Sequence, residues 1–359
     1  MDVRNYSGPI PSQPGTLIES VPLAKSLWVD KAGAAYRILY STSNQHGAHA
    51  VSTAVVYLPK GNPPPGGWPI IAWAHGTVGL GDNCTPSAQP PVDRQQFYLG
   101  HWLDQGYAVV GTDYAGLGTP GLMSYLNGQV EAHNIVDSVR AARQLPGHEL
   151  SNKWAIVGQS QGAGAAMSGA RYATEFSRGY GLDYRGVVAT GTPANIEAIV
   201  AQAGPNFPVK LPRNMTTYAM YILAGFREAR PDLHVNDILT PLGKRIADQA
   251  ETVCMDEFPA LVGNTDIRAL FTKPFSSIPN AYQQLKDYMG TPDNGYDRPI
   301  FLGQGLTDTD VPAPFALSLY AALVANHQPV QLHLYPTDHL QTVYAAANDA
   351  TTFMTAIMR

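Results

Sequence analysis

Ser160 stands at the centre of Gly158-Gln159-Ser160-Gln161-Gly162, a Gly-x-Ser-x-Gly pentapeptide. A serine hydroxyl is a poor nucleophile alone. It needs a neighbouring base to take its proton and a third group to orient that base. The pentapeptide suits this role when it forms a sharp strand-to-helix turn, because the flanking glycines let backbones approach where a Cβ would clash. The context agrees: Trp154 to Gly158 (WAIVG) reads as a buried strand leading in, and Gln161 to Tyr172 as a small-residue helix leading out. The chemistry indicated is attack of Ser160 on an acyl carbon.

The partners should follow in the chain order Ser, then Asp or Glu, then His. Beyond the apolar run Pro299 to Gly303 (PIFLG), both Asp308 and Asp310 qualify. Asp308 is preferred as the first carboxylate past Gly305, in a G-x-x-D-x-x-V-P frame. Asp310 reads as a loop or helix-cap carboxylate. Beyond Val330 to Tyr335 (VQLHLY), His339 lies in a loop before a helical segment and is the expected base. His333 and His327 read as structural or solvated, and Asp338 as a turn residue. The oxyanion formed by attack would need two backbone N–H donors. One is Gln161, directly after the nucleophile. The other comes from the loop His75-Gly76-Thr77 after an early strand, with Thr77 preferred and Val78 as the alternative. His75 reads as shaping that loop through hydrogen bonds.

These residues need a scaffold. Ala50 to Pro59, Pro69 to Ala74, Ala108 to Thr112, Trp154 to Gly158 and Arg185 to Thr190 read as strands. Helix-like stretches separate them at Phe97 to Asp104, Val130 to Leu145 and Gln161 to Tyr172. Such alternation predicts a mostly parallel sheet with helices on both faces. From about Pro193 to about Tyr296 only helix-like pieces occur, and the strand rhythm resumes at Pro299 and Val330. The pattern predicts a core of residues 1–192 and 297–359 interrupted by a helical insertion at 193–296. Its apolar residues Phe207, Leu211, Met220, Tyr221, Ile222, Leu223 and Phe226 either line an acyl pocket or form the insertion's own core.

Composition narrows the classes. The chain has 359 residues, 45% of them apolar and only 14% charged, with a net charge of −5. That balance supports a sizeable core rather than disorder and offers no basic stripe for nucleic acid. No apolar run reaches the length of a membrane span. Met1 to Gln13 is polar and lacks a basic region followed by an apolar one. The expectation is a cytoplasmic chain or one that begins after a removed signal peptide. Asp82, Asp93, His101 and Asp113 are scattered without metal-ligand spacing. Gly116-Leu117-Gly118 lacks a full dinucleotide fingerprint. Neither metal nor cofactor is expected. Asp113 reads as hydrogen-bonding a loop backbone, and Glu131, His133 and Asp137 as a solvated helix face. The two cysteines, Cys84 and Cys254, are either buried thiols or one disulfide closing a very long loop, nominally worth about 5 kcal/mol.

Five segments taken together carry a resemblance: His75 to Ser87 (HGTVGLGDNCTPS), Asp113 to Gly121 (DYAGLGTPG), Val136 to Arg143 (VDSVRAAR), Gly158 to Ala166 (GQSQGAGAA) and the GLTDTDVP stretch. In order and spacing, from about Tyr36 onward, the chain resembles the secretory lipase family. The resemblance implies an α/β-hydrolase fold with a helical cap inserted late in the sheet, a Ser160–Asp308–His339 triad, and carboxylic-ester hydrolysis through an acyl-enzyme. It implies that Cys84 pairs with Cys254, hence an oxidising compartment and a secreted or otherwise extracytoplasmic protein. The implied partner is a small-molecule or lipid ester, with contact at a lipid interface. The C-terminal extension of a fungal member of that family is not visible, so a flap built from it is expected to be absent. Two other functions remain open at this point: transfer of the acyl group to an alcohol, and a non-catalytic binding module, which would usually have lost a triad member.

Overall fold

A computed structural model describes residues 1–359. Nine strands form one sheet: β1 (Leu17–Pro22), β2 (Ala34–Ser43), β3 (His49–Leu58), β4 (Trp68–Ala74), β5 (Ala108–Thr112), β6 (Leu150–Gln159), β7 (Asp183–Thr190), β8 (Ile300–Gly305) and β9 (Val330–Tyr335). Ten helices accompany them: α1 (Asp93–Asp104), α2 (Gly128–Ala142), α3 (Gln161–Phe176), α4 (Glu197–Val200), α5 (Arg213–Ala229), α6 (Pro241–Ala250), α7 (Phe258–Val262), α8 (Ala281–Met289), α9 (Ala313–Ala325) and α10 (Thr342–Ile357).

The sheet order is β1-β2-β3-β5-β4-β6-β7-β8-β9. Strands β1 to β3 pair antiparallel, as do β3 and β5, and every pair from β5 to β9 is parallel. The parallel strands read as unbroken apolar runs because both of their faces are covered. Alternate residues divide between two cores. Ile70, Ala72 and Ala74 of β4 join one core with α2, α3 and the insertion; Ile71 and Trp73 join the other with α1 and α10. Chain direction across the sheet reverses around β4, which is flanked by β5 and β6. Ligands of open parallel sheets bind beyond the strand ends at such a switch point.

Two strands are absent from the sequence reading. β1 is a short, half-exposed edge. β2 is buried along its middle yet carries Arg37, Ser41 and Thr42, which break its apolar pattern. Each of these finds a distant partner: Arg37 donates to Ser87 Oγ (2.8 Å), Ser41 Oγ to the Gln13 carbonyl (2.7 Å) and Thr42 Oγ1 to Asp137 Oδ2 (2.8 Å). Buried polar groups with partners cost little, so the strand tolerates them.

Between β7 and β8 lie α4 to α8 and no strand of the sheet. Aromatic side chains knit this insertion to itself and to the core: Tyr221 packs on Tyr125 and Phe258, and Phe226 on Phe275 and Tyr288. A disulfide joins Cys84 of the core to Cys254 of the insertion. Beside it, Gly79 and Cys254 form an antiparallel bridge, and Met255 N–H donates to the Val78 carbonyl (2.9 Å).

One expectation fails on α2. Glu131 and Asp137 are 1% and 2% exposed rather than solvated. The helix packs against β2, α3 and α8 at once, so its polar side is covered as well as its apolar one. Asp137 accepts from Thr42 and Arg140, and burial pushes its carboxyl up to about 7. His133 stacks on Phe176 with centroids 3.9 Å apart.

Candidate active site

The pentapeptide forms the turn from β6 into α3. Ser160 sits at φ +61°, ψ −127°, a backbone region that L-residues seldom occupy. Neighbouring bonds impose it. Ser160 N–H donates to the Thr190 carbonyl at the end of β7 (2.9 Å), and its own carbonyl accepts from Ala163 N–H (2.8 Å). The glycines are steric requirements: a Cβ on Gly158 would lie 2.0 Å from the Gly162 carbonyl oxygen, and one on Gly162 would lie 1.9 Å from that of Ala74.

Asp308 and His339 meet beyond the ends of β8 and β9. His339 Nδ1 and Asp308 Oδ2 are 2.7 Å apart, and each residue is 5% exposed. The other carboxylate oxygen, Oδ1, accepts from the N–H groups of Asp310 (2.9 Å) and Val311 (2.8 Å). Asp308 is therefore held through Oδ1, while Oδ2 meets His339 and accepts a longer bond from Gln304 Nε2 (3.4 Å). The far ring nitrogen, His339 Nε2, is buried and has no hydrogen-bond partner within the protein. The pair adjoins the serine turn through Gly191, the residue after Thr190. A Cβ on Gly191 would come within 2.9 Å of His339 Cε1 and 3.6 Å of Asp308 Oδ2.

The other carboxylate candidate, Asp310, does not touch His339. It accepts from Asn214 Nδ2 of the insertion. Asp338 accepts from Gln341 N–H (2.8 Å) just before α10, as a turn residue does. His333 stacks on Phe301. His75 is buried, with Nδ1 donating to the Gly76 carbonyl (2.8 Å), and Asp113 accepts from Ser87 N–H (2.8 Å) and Thr53 Oγ1 (2.6 Å). Both shape loops.

Thr77 and Gln161 share a cavity wall with Ser160. Gln161 opens α3, so its N–H is among those with no acceptor inside the helix, at the end where the helix dipole favours negative charge. Thr77 is fixed by a hydrogen bond between its Oγ1 and Tyr125 OH (2.6 Å). Val78 does not line the cavity; its carbonyl is committed to Met255.

The cavity has a volume of about 190 Å³ and an almost wholly apolar wall. Of the seven insertion residues expected to line a pocket or fill a core, Leu211 and Ile222 do line it. Phe207, Met220, Tyr221, Leu223 and Phe226 are buried in the core instead. The wall also takes Met215, Tyr218 and Ala219, which the sequence reading missed. Leu211, Met215, Tyr218, Ala219 and Ile222 recur at helical spacing, a signal that marks one face of a helix without saying what it meets.

The sequence profile of the secretory lipase family matches residues 91–273, just over half of the chain. A secreted triacylglycerol lipase of Malassezia furfur, LIP2, is 25% identical over 176 residues, which is 48% of this chain and 35% of that protein. The matched stretch thus spans about a third of the curated relative. Among solved structures, Candida antarctica lipase A in its closed state superposes with a TM-score of 0.78 at 19% identity, covering 100% of this chain and 87% of that one. The rice cell wall degrading esterase LipA from Xanthomonas oryzae gives 0.75 at 20% identity, covering 97% and 100%. At such identities the structures establish a shared fold, the α/β-hydrolase fold with a helical insertion.

Proposed function

This chain belongs to the secretory lipase family, and on that premise we propose that it hydrolyses carboxylic esters through a Ser160–His339–Asp308 triad. The observation that carries the proposal is a buried imidazole with one nitrogen on a carboxylate and the other unpartnered, adjoining a strained serine turn. His339 Nε2 accepts the Ser160 proton as Oγ bonds to the ester carbonyl carbon. The carbonyl oxygen becomes an oxyanion facing the N–H groups of Thr77 and Gln161. Asp308 orients the imidazole and stabilises its cationic form. The imidazolium then protonates the departing alcohol. Water, deprotonated by His339, repeats the attack on the acyl-enzyme and releases the acid and Ser160.

Lipid esters with an apolar acyl chain are the proposed substrates. The cavity beside Ser160 presents hydrocarbon and only a few polar groups, as sites for apolar ligands do. Residues 193–296 act as a cap over a core made of 1–192 and 297–359. Export fits the Cys84–Cys254 disulfide, since such bonds persist in oxidising compartments; no helix is long and apolar enough to cross a membrane.

The test is Ser160→Ala assayed on p-nitrophenyl esters of several chain lengths, with circular dichroism as the check on folding. The variant should lose turnover while keeping its fold. Turnover retained in a folded variant would exclude the mechanism.

A further inference from the structure

Both residues proposed to hold the oxyanion are tied by their side chains to one short stretch of chain at the entry to α2. Tyr125 OH meets Thr77 Oγ1 at 2.6 Å, and Glu131 Oε1 accepts from Gln161 Nε2 at 2.9 Å. Glu131 is 1% exposed and takes no part in the triad. A buried carboxyl bonded to the residue after the nucleophile needs a reason. An anion bonded to Gln161 would oppose the negative charge proposed to develop at that residue's N–H.

We propose that Glu131 is a positioning residue for the oxyanion site: its buried carboxyl fixes the Gln161 side chain and, through it, the first turn of α3. The inference rests on the ester-hydrolase reading above. Its surroundings suit the neutral form. The titratable groups facing Glu131 are the phenols of Tyr114 after β5, Tyr125 before α2 and Tyr288 on α8, all held un-ionised by burial. Gln161 on α3 is neutral, and His133 on α2 itself stacks on Phe176. Desolvation pushes the Glu131 carboxyl up to about 8 against the hydrogen bonds from Gln161 and the Leu126 N–H, and no cationic side chain adds to them. Below that pH the acid is neutral; above it a carboxylate stands against the Gln161 side chain and the rate falls.

Four proteins decide the matter: wild type, Glu131→Gln, Glu131→Ala and Gln161→Ala. The readouts are ester hydrolysis and the rate of labelling by a fluorophosphonate, which places a phosphoryl oxygen where the oxyanion would sit. Glu131→Gln should keep the neutral-pH rate and lose the alkaline fall of the wild type. Glu131→Ala should lose roughly 10- to 100-fold in kcat with little change in KM, the scale of a small misplacement of catalytic groups. Gln161→Ala should lose a similar factor, and it serves alone should Glu131→Ala not fold. An unchanged alkaline limb in Glu131→Gln would overturn the inference. So would a neutral-pH rate within twofold of wild type in Gln161→Ala. Wild-type labelling that is absent, or that persists in Ser160→Ala, would instead strike the ester-hydrolase reading and this inference with it.

Discussion

Replacing Asp308 by asparagine should reverse the polarity of one hydrogen bond and leave the fold standing. Asp308 uses Oδ1 to accept two backbone N–H groups, at 2.9 and 2.8 Å, and Oδ2 to meet His339 Nδ1 at 2.7 Å. An asparagine amide has one acceptor oxygen and one donor NH₂. Turning the oxygen towards His339 would leave two buried N–H groups without an acceptor, at about 1–3 kcal/mol each. The amide oxygen therefore keeps the backbone bonds, and the NH₂ group faces His339 Nδ1. That ring nitrogen must then accept, which places the imidazole proton on Nε2, the atom needed to take the Ser160 proton. A base in the wrong tautomer loses on the order of 10⁴ in kcat, or about 5.5 kcal/mol. The assay is hydrolysis of a p-nitrophenyl ester by Asp308→Asn, with KM and the thermal midpoint measured alongside. KM and the midpoint should move little. Asp310→Asn is the comparison: Asp310 lines the cavity but makes no hydrogen bond to His339, so its loss should stay within about tenfold. A kcat for Asp308→Asn within tenfold of wild type, or an equal loss in Asp310→Asn, would refute the reasoning.

Removing both cysteines (Cys84→Ser with Cys254→Ser) frees a loop of sequence separation 170; stability should fall by up to about 5 kcal/mol in the chain-entropy picture, and an unchanged urea midpoint would contradict it. Ala219 on α5 lines the cavity, so Ala219→Trp should shorten the accepted acyl chain. In a series from acetate to decanoate, kcat/KM for the long esters should drop by at least about tenfold relative to acetate. Burial raises Glu131 from 4.5 to about 8 and Asp137 from 3.8 to about 7. The folded chain thus holds protons that the unfolded chain releases. Their contribution to stability is full below about pH 4 and declines as pH rises to about 8. Urea midpoints of Glu131→Gln should gain on wild type between pH 5 and pH 8, and parallel midpoints would count against the shift.

The sequence made the candidate triad legible because three independent constraints converge on it. Ser160 has glycines that sterics demand, and Asp308 and His339 follow the last two strands in the required order. The two β8 carboxylates were separable only by frame, and the structure distinguishes them by contact: Asp308 touches His339 and Asp310 touches Asn214. What stayed hidden depends on contacts distant in sequence. Thr42 lies far from Asp137, so no local pattern says that this aspartate is buried. β2 escaped for the same reason, since Arg37 looks like a surface residue until Ser87 is placed against it. Helical spacing identifies α5 but not which of its faces meets the cavity. Met220 and Phe226 are as apolar as Met215 and Ile222, yet they turn the other way.

The links between the Val78–Gly79 turn and Cys254–Met255 have a mechanical meaning. A β-bridge, a hydrogen bond and a covalent bond fasten the insertion to the segment that begins at Thr77. That margin of the insertion is a seam and cannot act as a free edge. Ile196, Ile199 and Leu211 line the cavity without taking part in this seam. A displacement of the insertion pulls on this seam, and the load falls on the turn next to Thr77. Room in the cavity and placement of Thr77, the proposed oxyanion donor, are therefore coupled through this seam.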